Sequence, residues 1–432
     1  MGPDVTDEFV RRTILKISWR LLPLVVISYL VAYIDRTNVA FAALTMNKDL
    51  GISSYVYGWG AGIFFLGYAL FEVPSNIVLA RVGARRWIAR IMISWGIISG
   101  LMAFAAGPTS FLVLRFLLGV AEAGFFPGII FYLTTWFPAR YRGRVISALF
   151  LAVPVSNAAA SVISGAILGM DGMLGFRGWQ WVFMIEAIPA VLLALVVLKR
   201  MTDRPAVANW LTNEEKSWLD GELQAERSHV ERAGALNLFQ SLTDPRVLVL
   251  SLIYMGSVTA SYGVVFFLPQ IVKGFGYSNF MTGLMTAIPY TIGVLGLLAW
   301  GWSSDRRHER RWHLIAAKTV AAIGLAGAAW FGQSYWAIVA MSVATIGLYG
   351  SRPCFWPMPS LFLSGAAAAG GIALINSLGN LGGYIGPFIV GWIKDSTKSF
   401  EMGLYFLAAC ALASGVITYF ATGATTAAHE RA

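Results

Sequence analysis

The sequence predicts an all-α membrane protein of twelve transmembrane helices arranged as two pseudo-symmetric halves of six. Three observations predict it. Of the 432 residues, 57% are hydrophobic and 12% charged, against roughly 25% charged in soluble domains, so the chain lacks the ionic surface that keeps a globular protein in water. Its apolar residues gather into stretches of about 20, the length that crosses a hydrocarbon core as a helix. These stretches form two sets of six around one long polar segment.

In chain order the spans lie near 21–43, 59–80, 87–106, 111–135, 145–168 and 181–198, then 247–272, 281–302, 313–332, 335–362, 369–393 and 399–420. Each is expected to be helical, because lipid offers no partner to an unpaired backbone amide. The first apolar run is a full span containing Asp35 and Arg36, which does not fit a cleavable signal. The predicted division is 1–198, an amino-terminal six-helix bundle; 199–246, a cytoplasmic linker; and 247–432, a carboxy-terminal six-helix bundle. In the linker, Leu211-Thr212-Asn213-Glu214-Glu215-Lys216 has the Thr-x-x-Glu pattern of a helix start, which predicts a capped surface helix.

Loop cations orient the chain, since lysine and arginine near spans resist translocation. One side collects 23 of them, in the amino-terminal tail, the 81–90, 140–144 and 306–311 loops, the linker and Arg431. The other side holds five: Lys48, Arg177, Lys273, Lys394 and Lys398. Both termini are therefore expected to be cytoplasmic. The net charge of +10 then reports topology, and no nucleic acid is needed to explain it.

Charge deep in a span is costly and calls for a role; four such residues form the candidate site, while Glu186, Lys318 and Arg352 also lie in or near spans with partners that the sequence does not place. Asp35 and Arg36 are on the first span, Arg115 and Glu122 on the fourth. The seven-residue separation of Arg115 and Glu122 is about two turns, or roughly 10.5 Å, which places them on one face. Arginine stays charged when buried and offers a planar fork to a carboxylate, whereas a carboxylate there can exchange a proton. The alternative is two buried salt bridges that hold helices together.

The halves resemble each other. The second span ends in Arg81-Val82-Gly83-Ala84-Arg85-Arg86 and the eighth in Gly301-Trp302-Ser303-Ser304-Asp305-Arg306-Arg307, each a turn with cations. Gly301-x-x-x-Asp305-Arg306 is similar to the inter-helix loop signature of the major facilitator superfamily; the first-half copy has no aspartate. The chain further resembles the anion:cation symporter family, whose bacterial tartrate- and phthalate-type permeases it is similar to. The resemblance runs through Tyr33-x-Asp35-Arg36-x-Asn38, Glu72-Val73-Pro74-Ser75-Asn76 and Arg115-Phe116-Leu117-Leu118-Gly119-x-x-Glu122. It continues through Phe355-Trp356-x-x-Pro359 and Asn376-Ser377-x-Gly379-Asn380-x-Gly382-Gly383-x-x-Gly386-Pro387.

This resemblance implies a major facilitator fold whose first and fourth spans line a cavity. It assigns anion contact to Arg36 and Arg115 and proton coupling to Asp35 and Glu122. Tyr68, Trp356, Asn376 and, more weakly, Tyr262 become further substrate contacts, each with a packing role as the alternative. Glu72, near the cytoplasmic end with Arg81 one loop away, reads as a gate or structural ion pair, and Asp305 and Arg306 as gate residues. The implied activity is proton-coupled import of a small organic anion by alternating access, a hydroxy-dicarboxylate such as tartrate. Aldonate or hexuronate and phthalate symport are the neighbouring alternatives, and a non-transporting membrane sensor is a further one. The expected partners are the anion, protons and lipid, with the protein acting as a monomer, and the resemblance to bacterial permeases implies a bacterial inner membrane.

Other classes find little support. There is no HExxH, no Gly-x-Ser-x-Gly and no Walker A sequence, so neither a membrane enzyme nor direct ATP use is expected. Cys354 and Cys410 both sit in apolar surroundings and suggest neither a disulfide framework nor a metal site, and no cofactor is expected.

Overall fold

The computed structural model describes residues 6–232, 243–359 and 365–429. Helices account for the spans of the first half as α1 (Asp7–Asp49), α2 (Ser54–Val82), α3 (Ala84–Leu101), α4 (Pro108–Glu122) with α5 (Phe125–Thr134), α6 (Ala139–Ile167) and α7 (Gly178–Arg200). After the linker helix α8 (Asn213–Arg232) come α9 (Pro245–Lys273), α10 (Asn279–Arg307), α11 (Arg311–Phe331), α12 (Tyr335–Phe355), α13 (Gly365–Thr397) and α14 (Glu401–His429). Arg431, counted above among the loop cations, lies outside the described residues, as does the side chain of Arg144.

Among the described residues, eleven helical segments are long and apolar enough to cross a membrane, α4 and α5 counting as one. The tenth expected span, α12, falls short of that apolarity for a physical reason. It packs against both α10 and α11 and is mostly buried, so Ser342, Thr345, Gly347 and Tyr349 stand where a lipid-facing helix would carry aliphatics. The fourth span is broken at Ala123–Gly124, where Gly124 takes φ +84°, a conformation that strains side-chain-bearing residues. Glu122 thus sits at the end of one helix, beside the break.

The linker carries the capped helix. The Thr212 amide donates to Glu215 Oε2 at 2.8 Å and the Glu215 amide to Thr212 Oγ1 at 3.2 Å, a reciprocal box that satisfies donors at the start of α8. Lys16 pairs with Glu215 at 2.7 Å and Arg142 with Glu226 at 2.5 Å. These contacts tie α8 to the amino-terminal half.

The halves meet through α2 against α13, α6 against α10, and α1 against α9, pairs related by the repeat. One end of this junction is closed by backbone approach. A Cβ on Gly58 would stand 2.3 Å from the Pro387 carbonyl oxygen, and one on Gly283 2.3 Å from that of Ser161, so only glycine permits the contact. At the same end Asp395 accepts from the amides of Ser54 and Tyr55 at 3.2 and 2.9 Å. A carboxylate from one half therefore caps the α2 amino terminus of the other, where the helix dipole favours negative charge.

Candidate functional site

A cavity lies between the halves, in the middle of the bundle. Tyr33, Arg36 and Tyr68 line it from the amino-terminal half, and Tyr262, Lys318, Arg352, Trp356 and Asn376 from the other. Arg36 spans the two. Its Nη1 donates to the Tyr262 hydroxyl at 3.0 Å, and its Nη2 is hydrogen-bonded to Glu122 Oε1 in a buried ion pair. Its guanidinium carbon lies 4.8 Å from the Tyr33 ring centroid, 5.2 Å from Phe64 and 5.5 Å from Tyr68, where the ring faces attract a cation. Arg36 Nε is buried without a partner among the described residues.

Of the four deep charges the sequence grouped together, only Arg36 lines the cavity. The reason is helical geometry, which turns successive residues by about 100°. With Arg36 on the cavity, Asp35 faces α3 and accepts from Trp95 Nε1 at 2.9 Å and Ser99 Oγ at 3.3 Å. No described cation bonds to it. Glu122 reaches the cavity through its bond to Arg36. Arg115 is fully buried and donates Nε to the Gly60 carbonyl at 3.1 Å and Nη2 to that of Ala61 at 3.4 Å. The shared face predicted for Arg115 and Glu122 is thus divided between α2 backbone and Arg36.

Contacts between the halves account for several other residues. Asn376 Nδ2 donates to Glu72 Oε1 at 3.1 Å, so the partner of Glu72 is an amide of the opposite half. The expected pairing with Arg81 does not form; Arg81 lies in a surface groove with Arg20, Asp203 and Trp210, because the last turns of α2 carry it away from the bundle centre. Trp356 stacks on Phe150 with centroids 6.0 Å apart and planes at 15°. Asn157 donates to the Tyr349 hydroxyl at 2.8 Å. Asp305 pairs with Arg310 at 2.5 Å, and Arg306 lies over the Trp302 ring at 5.3 Å; both are at the end of α10, away from the cavity.

Lys318 and Arg352, in-span cations whose partners the sequence does not place, both lie on the cavity wall. Lys318 is 1% exposed, and its Nζ donates to Ser351 Oγ at 3.1 Å and to Ser257 Oγ. The signal was their charge at bilayer depth. Glu186, also unplaced from sequence, accepts from Ser164 Oγ at 2.6 Å.

Paired sets of spanning helices around a polar cavity with buried cations are an architecture on which transporters are built. Residues 25–387 match the Major Facilitator Superfamily, and the chain belongs to that superfamily; it is a multi-pass membrane transporter and not an enzyme. It is 51% identical over 414 residues to a protein of Agrobacterium vitis named "Putative tartrate transporter", covering 96% of this chain and 92% of that one. It is 43% identical over 413 residues to a quinolone resistance transporter of Acinetobacter baumannii, covering 95% of each. Its fold is similar to the crystal structure of a bacterial homologue of the human lysosomal transporter Spinster, with TM-score 0.74, 18% identity, and coverage of 93% of this chain and 96% of that one.

Proposed function

We propose that the protein is a proton-coupled importer of a small organic anion, a hydroxy-dicarboxylate such as tartrate, working by alternating access. The observation that carries the reading is the position of Arg36. One guanidinium on the cavity wall is shared between a carboxylate of its own half and a hydroxyl of the other. A substrate carboxylate competes with Glu122 for the same donors, and a proton on Glu122 removes its charge and releases the fork to the anion. Loss of that proton reforms the ion pair and expels the anion. Tyr262, on the carboxy-terminal half, exchanges its bond to Arg36 as the halves rock.

The name of the 51% identical relative supports tartrate as the leading substrate. Asp35 is assigned a second protonatable position, at the α3 contact, and Tyr68, Trp356 and Asn376 the neutral surroundings of the ligand. Arg115 is assigned to holding α4 against α2. With both termini cytoplasmic in a bacterial inner membrane, the end sealed by Gly58, Gly283 and Asp395 faces outward. Asn376–Glu72 and Trp356–Phe150 then lie on the path by which the halves separate.

A thermal-shift screen of the purified protein tests the reading, because a ligand that binds the native state stabilises it in proportion to occupancy. Tartrate and its dicarboxylate neighbours should raise the melting temperature in a concentration-dependent way. Stabilisation by uncharged sugars alone, with no organic acid active, would contradict it.

A further inference from the structure

Two cations on the cavity wall of the carboxy-terminal half have no counter-charge among the described residues. Lys318 Nζ bonds only hydroxyls, those of Ser257 and Ser351. Those hydroxyls give their own protons to the carbonyls of Ile253 and Leu348 at 2.8 and 2.9 Å, so their lone pairs face the ammonium as neutral acceptors. Arg352 follows Ser351 in the chain, lines the same cavity, and lies over the Tyr349 ring at 5.1 Å. No described carboxylate is bonded to either.

The described acids of this half are engaged elsewhere. Asp305 pairs with Arg310, Glu309 with His313, and Asp395 caps α2, while Glu401 opens α14 at the far end of the bundle. Across the cavity, Glu122 is on Arg36 and Glu72 is on Asn376. Buried charge is costly unless paired; Lys318 is buried and Arg352 half-buried on the same wall, so the first carries that cost in full and the second in part. The cavity wall is therefore asymmetric, with one neutralised arginine on the first half and two unneutralised cations on the second.

We propose that Lys318 and Arg352 form a second carboxylate subsite, so that the cavity takes a dicarboxylate with one end on these two cations and the other on Arg36. The ammonium supplies a point charge already oriented by two serines, and the guanidinium supplies the fork. The anion becomes the counter-ion that the protein omits, and by touching both halves it favours their closing together. This inference rests on the organic-anion reading above and gives the second carboxylate of the dicarboxylate its own site.

The test compares diacids with the matching monoacids that keep every other group: tartrate with threonate, galactarate with galactonate, phthalate with benzoate, and glycerol 3-phosphate as a phosphate monoester. Binding of each to the purified full-length protein is measured by calorimetric titration. The wild type should prefer one diacid over its monoacid by roughly ten- to a hundredfold, the loss expected for one charged hydrogen-bonded contact. Arg352→Gln, a change on the cavity wall, should lower diacid affinity more than monoacid affinity and bring the ratio of the two towards one. Lys318→Met should do the same; if it fails to fold, Arg352→Gln and the wild-type ratio still decide. A wild type that binds mono- and diacid equally, or an Arg352→Gln protein that keeps the wild-type ratio, overturns the subsite while leaving the organic-anion reading intact. Tighter binding of the phosphate monoester than of every diacid also overturns it. Failure to bind any of these acids overturns both.

Discussion

Replacing Arg36 by lysine keeps the cavity charge and removes the fork. In the structure two separate nitrogens of Arg36 serve two partners, Nη1 the Tyr262 hydroxyl at 3.0 Å and Nη2 the Glu122 carboxylate, while Tyr33, Phe64 and Tyr68 lie around the planar group. A lysine ammonium is a point charge at the end of a flexible stem and cannot present two parallel donors to one carboxylate. The ring contacts are made within the protein and not to the ligand, so their loss is expected to lower stability and largely to cancel from affinity. What does not cancel is one charged hydrogen bond to the bound anion, about 1.5–3 kcal/mol, or roughly ten- to a hundredfold in Kd. Calorimetric titration of Arg36→Lys with tartrate, after size-exclusion chromatography has confirmed folding, measures this. Wild-type affinity in the folded variant would refute fork recognition by Arg36.

Arg115→Lys should behave oppositely: its donors go to the Gly60 and Ala61 carbonyls, so tartrate affinity should stay near wild type while thermal stability falls by about 1–3 kcal/mol. A large loss of affinity at unchanged stability would return Arg115 to the binding site. Gly283→Val places a Cβ 2.3 Å from the Ser161 carbonyl oxygen and should disfavour the closed end. With Cys354 and Cys410 replaced by serine, Asn376→Cys should then be labelled faster by an impermeant maleimide supplied from the Ser54 side, and unchanged labelling would count against the closure described here. Reporter fusions at the carboxy terminus and at Lys48 should give opposite compartments, with matching signals overturning the orientation.

The spans were legible because hydropathy and helix length are properties of each segment alone. Thr212 and Glu215 likewise announced the α8 start, since a capping box is local in sequence. The orientation of charged residues within the spans was not legible in the same way. A seven-residue spacing puts Arg115 and Glu122 on one face of α4, but the direction of that face depends on how α2 and α4 approach. A Cβ on Gly119 would stand 2.0 Å from the Phe64 carbonyl oxygen, and that close approach brings the α2 carbonyls within reach of Arg115. Lys318 and Arg352 were recognisable as costly charges, yet their convergence on one cavity follows from packing α11, α12 and α9 together. The α12 span shows the same limit from the other side, because a helix enclosed by neighbours no longer needs the apolar surface by which spans are found.

Proton coupling through Glu122 is the central claim, and uptake by sealed proteoliposomes under an imposed pH gradient tests it most directly. Wild-type protein should accumulate labelled tartrate against its gradient. Glu122→Gln, which stays uncharged at every pH and cannot pass a proton, should still exchange labelled for unlabelled tartrate but fail to accumulate it when the pH gradient is applied. Undiminished uphill accumulation by a folded Glu122→Gln protein would contradict the account.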